Sequence, residues 1–314
     1  MRPMFGSLPL RRSAPLALAL VAVASGCGRS GSPGAPAARG GGGGLVVVAA
    51  ENFWGSIAAQ LGGGRPSVSS IIVNPDTDPH AYEPNARDAR ALAGAQLVIV
   101  NGLGYDAWAD RLLAASPLSG RLVLNVGRAL ELGAGANPHQ WYSPAHVQQI
   151  VDRISAAYER LDPADTSYFA QRRVTFLTAG LARYQALRRE IRAEFAGAPV
   201  GYSESIFQPL GEDLGLRLMT PYSFAKAIAE GTDVTAQDKR LVDTQVSQRQ
   251  IKVWIYNSQN VTPDVQRVNA LARAHNIPIA TVTETLAPAS ASFEQWQAAQ
   301  LEALRAALRR ATGR

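Results

Sequence analysis

Short apolar runs alternate with helix-like stretches along most of this chain, and one long helical stretch of about fifty residues interrupts the alternation near its middle. That interruption constrains the fold more than any other feature. Before it, Leu45 to Ala49, Val68 to Val73, Leu97 to Val100 and Leu122 to Asn125 read as buried strands, separated by helix candidates near Trp54 to Leu61, Asn85 to Ala93 and Asp106 to Ala115. Strand and helix in turn predict an α/β domain with a mostly parallel sheet. From about Ala145 to Phe195 no strand intervenes, and the only break is at Asp162-Pro163. The second part, Ala164 to Phe195, would be about 48 Å long if straight, at roughly 1.5 Å per residue. Alternation then resumes with strands at Pro199 to Tyr202, Leu216 to Met219, Lys252 to Tyr256 and Ile277 to Val282, and a last helix from Ser292 to Arg310. The economical reading is two α/β lobes, residues 45–162 and 197–314, joined by one long rigid helix over 163–196.

The first 44 residues belong to neither lobe. Arg2, Arg11 and Arg12 precede an apolar run from Ala14 to Ala24, too short to span a bilayer as a helix and flanked like a secretory signal. Ala24-Ser25-Gly26-Cys27 resembles the lipobox of bacterial lipoproteins, which makes 1–26 the signal peptide and Cys27 the lipidated residue. Cys27 is the only cysteine, so an internal disulfide is excluded. Residues 27–44, mostly Gly, Ser, Pro and Ala and ending in five consecutive glycines, cannot bury a core and read as a tether. Loss of the three signal arginines lowers the formal net charge from +6 to +3. No basic stripe interleaved with aromatics or nucleic-acid module is present, and the arginines of 183–192 and 305–310 read as solvated helix faces.

Half of the four histidines lie in two Pro-His pairs, Asp78-Pro79-His80 and Asn137-Pro138-His139, each in a loop after a strand-like run. Proline stiffens such a loop, and imidazole is the commonest transition-metal ligand. Ligands of open α/β sheets bind at the carboxyl ends of strands. His80 and His139 stand there in the first lobe, and Glu204 and Glu284 close strand-like runs in the second. Two imidazoles facing two carboxylates make a mixed site that suits manganese, iron(II) or zinc. His146 reads as a surface or packing residue, and His275 as a polar residue at a helix end. Glu83 reads as favourable charge at a helix start. Asn52, Trp54, Trp141 and Tyr142 are candidates for the wall of the site or for core packing.

At these positions the chain resembles the zinc- and manganese-binding solute-binding lipoproteins of bacterial metal ABC transporters. The resemblance covers nearly all of it from Leu45. Its landmarks are Ala50-Glu51-Asn52-Phe53-Trp54-Gly55, Asp78-Pro79-His80-Ala81-Tyr82-Glu83-Pro84, Asn137-Pro138-His139-Gln140-Trp141, Ser203-Glu204-Ser205-Ile206-Phe207 and Thr283-Glu284-Thr285. The resemblance implies a C-clamp of two lobes with one divalent ion, zinc or manganese and conceivably iron(II), as cargo in the cleft. It further implies a monomer on the outer face of the cell membrane that delivers the ion to an ABC permease and its ATPase. His80 and His139 match the family's first two ligands. Glu204 matches the third, histidine in many zinc binders and glutamate in many manganese binders, and Glu284 the fourth, usually aspartate. Asn137 and Ser143 stand where acids are common, and a His-rich loop is absent.

Two other classes compete. Gly201-Tyr202-Ser203-Glu204-Ser205 is laid out like a nucleophile elbow, but Ser205 replaces the glycine that close packing requires. A metallohydrolase could use two histidines, a carboxylate and water, yet no motif supplies a general base and a fourth protein donor would close the water's position. An adhesin on the same site is compatible with binding. Metal capture and delivery, with no bond made or broken, is the expected function.

Overall fold

The computed structural model describes residues 44–77 and 79–314. The signal peptide, Cys27, nearly all of the tether and Asp78 lie outside the described residues.

In the first lobe, β1 (Val46–Glu51) continues directly into α1 (Asn52–Gly62), and β2 (Ser67–Ile72) follows. Then come α2 (Ala86–Gly94), β3 (Leu97–Val100), α3 (Ala107–Ala115) and β4 (Leu122–Asn125). All pairings are parallel, in the order β2-β1-β3-β4. Parallel neighbours need crossovers, and the helices supply most of them. The two middle strands are buried as expected; Leu97–Val100 is buried throughout. The outer two are not. In β2 exposed Ser67 and Ser69 alternate with partly buried neighbours, Val73 beyond it is 49 % exposed, and in β4 Val123 is 40 % exposed. An apolar run reads alike at the centre and the edge of a sheet; only the strand order distinguishes them. α2 is started by a capping box between Asn85 and Asp88, so the charge at its N-terminus is Asp88, not Glu83.

A short α4 (Val126–Ala129) leads towards α5 (Pro144–Leu161), which Ser143 caps with proline at its first position. After the break at Asp162-Pro163 the link is α6 (Thr166–Thr175), a π-helical segment Phe176–Gly180, and α7 (Ala182–Phe195). The straight 48 Å helix is therefore segmented. The apolar stripe gives the reason: the buried positions Phe176 and Leu181 are five apart, and the Leu181 N–H donates to the Phe176 carbonyl at 2.9 Å. A π turn brings residues five apart onto one face, where an α turn would not.

The second lobe repeats the first. It contains β5 (Pro199–Tyr202), α8 (Gln208–Asp213), β6 (Arg217–Leu218), α9 (Tyr222–Ala229) and α10 (Ala236–Ser247). β7 (Val253–Asn257), α11 (Pro263–Ala274), β8 (Ile279–Val282) and α12 (Phe293–Thr312) complete it. The order β6-β5-β7-β8, again all parallel, matches the first sheet. Each sheet thus has a switch point, between β1 and β3 and between β5 and β7, where carboxyl ends leave a crevice.

One apolar cluster runs from Val47, Ile57 and Leu61 through Trp141, Tyr158 and Tyr184 to Val200, Ile255 and Trp296. The two lobes therefore share a core. Hydrogen bonds reinforce it: Ser56 Oγ accepts from the Phe293 N–H at 2.9 Å, and the Tyr142 hydroxyl donates to the Thr283 carbonyl at 2.9 Å. Among the described residues no helix is long and apolar enough to cross a membrane.

Candidate metal centre

Three of the four candidate donors sit at short 3-10 turns where the chain leaves the carboxyl side of a sheet. His80 lies within the turn Pro79–Ala81, His139 precedes Gln140–Tyr142, and Glu204 precedes Ser205–Phe207 with extended backbone. Glu284 follows β8. The fold brings all four together: one imidazole nitrogen or carboxylate oxygen of each lies within 4.8 Å of the others. His139, Glu204 and Glu284 are buried, whereas His80 is exposed. A partly open cavity of about 190 Å³, lined by His80, Tyr105, Ser205, Tyr222 and Lys226 among others, adjoins the cluster.

His139 Nδ1 is 2.8 Å from Asn137 Oδ1. The Asn137 amide is oriented by its other contacts, since Nδ2 donates to the Ser205 carbonyl at 2.7 Å and Oδ1 accepts the His139 N–H at 3.0 Å. An amide oxygen only accepts, so Nδ1 carries the proton and Nε2 presents its lone pair. Nε2 faces Glu204 Oε1 at 3.6 Å and Glu284 Oε1 at 3.5 Å. His139 Nε2 and Glu204 Oε1 are both buried without a hydrogen-bond partner. Such orphaned atoms are rare in folded proteins and call for an occupant.

Asn257, at the carboxyl end of β7, donates from Nδ2 to Glu204 Oε2 at 2.8 Å and to Glu284 Oε1 at 2.9 Å. The Tyr105 hydroxyl donates to Glu284 Oε2 at 2.9 Å. Burial first, and the charge of Glu284 second, raise the pKa of Tyr105 and keep it a donor. Burial likewise raises the Glu204 carboxyl well above the usual carboxylate range, with the Glu284 charge adding to it and His139 opposing it. Burial pushes His139 down to about 4, against the smaller effect of the Glu204 charge, so its imidazole is neutral near pH 7 and ready to donate its lone pair.

A second carboxyl pair lies behind Tyr105. Asp106 accepts N–H groups of Asn101 and Gly102 at 2.6 and 2.8 Å, which counter the effect of its burial, and its pKa stands at about 6. Glu51 is fully buried and lies against Asp106; burial and that neighbour raise its pKa. Asn101 accepts from the Trp54 indole at 3.0 Å and donates to the Pro138 carbonyl at 2.9 Å, tying this layer to the His139 loop.

The other singled-out residues are not among the four clustered donors. His146, on α5, pairs through Nδ1 with Gln140 Oε1, and His275 occupies the C-cap of α11. Trp141 stacks on Phe53 with ring centroids 3.9 Å apart, Trp54 and Tyr142 are fully buried, and Asn52 accepts the Leu286 N–H at 3.2 Å. These aromatics wall the site and fill the shared core at once. Sequence reasoning missed Tyr105, Asn257 and the Glu51–Asp106 pair. Asn257 carried a signal, because it ends a strand-like run just as Glu204 and Glu284 do.

Two parallel α/β sheets whose carboxyl ends converge on an imidazole–carboxylate cluster define a two-lobed binding protein with a cation-sized site. Residues 47–307 match the family described as zinc-uptake complex component A, periplasmic, and the chain belongs to that family. The family is one of metal-binding transport proteins. The chain is 27 % identical over 208 residues to the manganese-binding lipoprotein MntA of Halalkalibacterium halodurans, covering 63 % of this chain and 66 % of that protein. It is 25 % identical over 170 residues to the iron-binding protein YfeA of Yersinia pestis, covering 51 % and 53 % respectively. The matches thus span about half to two thirds of these relatives' length. The fold is that of the Mn-bound periplasmic metal-binding protein of Candidatus Liberibacter asiaticus, with a TM-score of 0.70 at 18 % identity over 84 % of this chain and 99 % of that one.

Proposed function

We propose that the protein captures one divalent transition metal ion outside the cytoplasmic membrane and hands it to an ABC permease driven by its ATPase. His80, His139, Glu204 and Glu284 hold the ion. The observation that carries this reading is the pair of orphaned buried atoms, His139 Nε2 and Glu204 Oε1, 3.6 Å apart. Donors about 2.1 Å from a tetrahedral ion lie about 3.4 Å from one another, close to the 3.5 and 3.6 Å between His139 Nε2 and the two glutamates. An ion there satisfies both orphans and relieves the repulsion between the carboxylates. No bond is made or broken, and neither a hydrolase nor an adhesin is favoured by any group in the site.

The cargo is zinc or manganese. Two carboxylates with two imidazoles make a harder site than three imidazoles with one carboxylate, which narrows zinc's advantage without reversing it. Both ions bind, and Glu204→His moves the ratio of affinities towards zinc. The Cys27 thiol carries the lipid that holds the protein, as a monomer, at the membrane's outer face; Cys27→Ser abolishes labelling by fatty acid in cells.

Metal analysis of protein purified without added metal, followed by competition titrations with zinc and manganese, tests the reading. One equivalent of metal is expected, with most affinity lost in His80→Ala. Unchanged affinity in both His80→Ala and Glu204→Gln would overturn the ligand assignment.

A further inference from the structure

We propose that Asn257 is a positioning residue that governs metal choice, by holding Glu204 so that only one of its oxygens faces the ion. The inference rests on the reading of His80, His139, Glu204 and Glu284 as ligands and deepens it.

Strand order is the starting point. In the sheet β6-β5-β7-β8, β7 lies between β5 and β8. Glu204 follows β5 and Glu284 follows β8, so the residue ending β7 stands between the two acids. That residue is Asn257, which is fully buried. Its backbone N–H donates to Ser203 Oγ at 3.1 Å, and its Oδ1 accepts the Gln259 N–H at 3.0 Å. The amide therefore cannot turn over, and its two Nδ2 protons must point at the carboxylates. One goes to Glu204 Oε2 and one to Glu284 Oε1.

This consumes ligating capacity selectively. With Oε2 held by Asn257, Glu204 turns only Oε1 to His139. Glu284 has Oε2 drawn off to Tyr105, and its Oε1 both receives Asn257 and faces His139. Neither carboxylate can rotate to grip an ion with both oxygens without breaking a buried hydrogen bond and leaving its donor unpaired. Four donors, each giving one atom, match the tetrahedral preference of zinc. Manganese suits octahedral oxygen-rich surroundings and is denied the two extra oxygens. Asn257 therefore opposes the softening of zinc preference that the second glutamate brings. An aspartate at 257 would instead place a third carboxylate against the pair, so the neutral amide also keeps the site from gaining charge.

The test uses the mature protein and two variants. Asn257→Leu keeps the branched outline and removes both donors; Asn257→Ser shortens the side chain so that it cannot span the two carboxylates, and decides the matter if the leucine variant does not fold. Zinc and manganese association constants are measured by competition titration, and coordination numbers of the manganese-loaded proteins by X-ray absorption. The expected result is a fall in the zinc-to-manganese ratio of about tenfold, the lower end of what losing a partner of a metal ligand costs, with at least one added oxygen neighbour on manganese. A ratio within twofold of the unsubstituted protein, or an unchanged coordination number, would overturn the proposal. Failure of the unsubstituted protein to bind either ion would instead overturn the ligand assignment on which it rests.

Discussion

Replacing Glu204 with Gln should make the metal-free protein more stable while removing its response to metal. In the folded chain Glu204 is 1 % exposed, its Oε1 has no partner, and the Glu284 carboxyl is beside it. Glutamine keeps an oxygen to accept from Asn257 and places an N–H where Oε1 faces His139 Nε2, so both orphans gain a partner. An unsatisfied buried polar group costs about 1–3 kcal/mol. Taking about 2 kcal/mol, and about 2–4 °C per kcal/mol for a domain of this size, Tm should rise by about 4–8 °C in chelator at pH 7.5. The sign with pH follows from the raised pKa of Glu204. Above the unfolded value of 4.5 the native state keeps a proton that the unfolded state releases, so this group's contribution to stability falls as pH rises through the window up to its folded pKa. Glutamine does not titrate, and its advantage should therefore grow as pH rises and folded Glu204 ionises, and shrink where the protonated carboxyl can itself donate to His139 Nε2. Zinc at a hundred times Kd should add about 2.7 kcal/mol to the unsubstituted protein and far less to the variant. Thermal unfolding in chelator and in zinc, repeated across pH, measures both effects. A variant less stable than its parent in chelator at pH 7.5, or stabilised equally by zinc, would refute the reasoning.

Two further outcomes are expected. Metal should displace a proton from Glu204 rather than from His139, whose pKa burial has already pushed down to about 4; affinity should thus rise with pH until folded Glu204 has lost its proton, and titration calorimetry in buffers of different ionisation enthalpy should show proton release that Glu204→Gln abolishes. Asn137→Ala, which frees His139 Nδ1 and the Ser205 carbonyl, should weaken zinc binding about 10–100-fold with little change in Tm, a result read by competition titration.

Much of the architecture was legible because it follows from local pattern. Apolar runs of four to six residues between amphipathic helices fix a parallel sheet, and the carboxyl ends of such strands are where polar residues meet, which is how His80, His139, Glu204 and Glu284 could be paired in advance. Long-range order was not legible. β4 looks nearly as apolar as β3, yet its edge place leaves Val123 open to solvent. Asn257 looks ordinary until β7 is seen to run between β5 and β8. Glu51 gives no hint in the sequence of the Asp106 carboxyl fifty-five positions away. The π turn was encoded as a spacing of five between Phe176 and Leu181, a signal that a search for helical periods alone passes over.

The unequal burial of the donors separates how tightly an ion is held from how it leaves. His139, Glu204 and Glu284 are at most 2 % exposed and rise from the shared core, whereas His80 sits in an exposed turn. That turn lies in the segment between β2 and α2, which Gln259 of the second lobe tethers by donating to the Pro75 carbonyl at 2.6 Å. For an ion held by these four, swinging the turn outward vacates one coordination position and leaves three, with no need to split the common core. A donor on an incoming transporter could then occupy the vacated position before the rest let go. Transfer on that path would be stepwise ligand exchange, with three donors still on the ion while the fourth position changes hands.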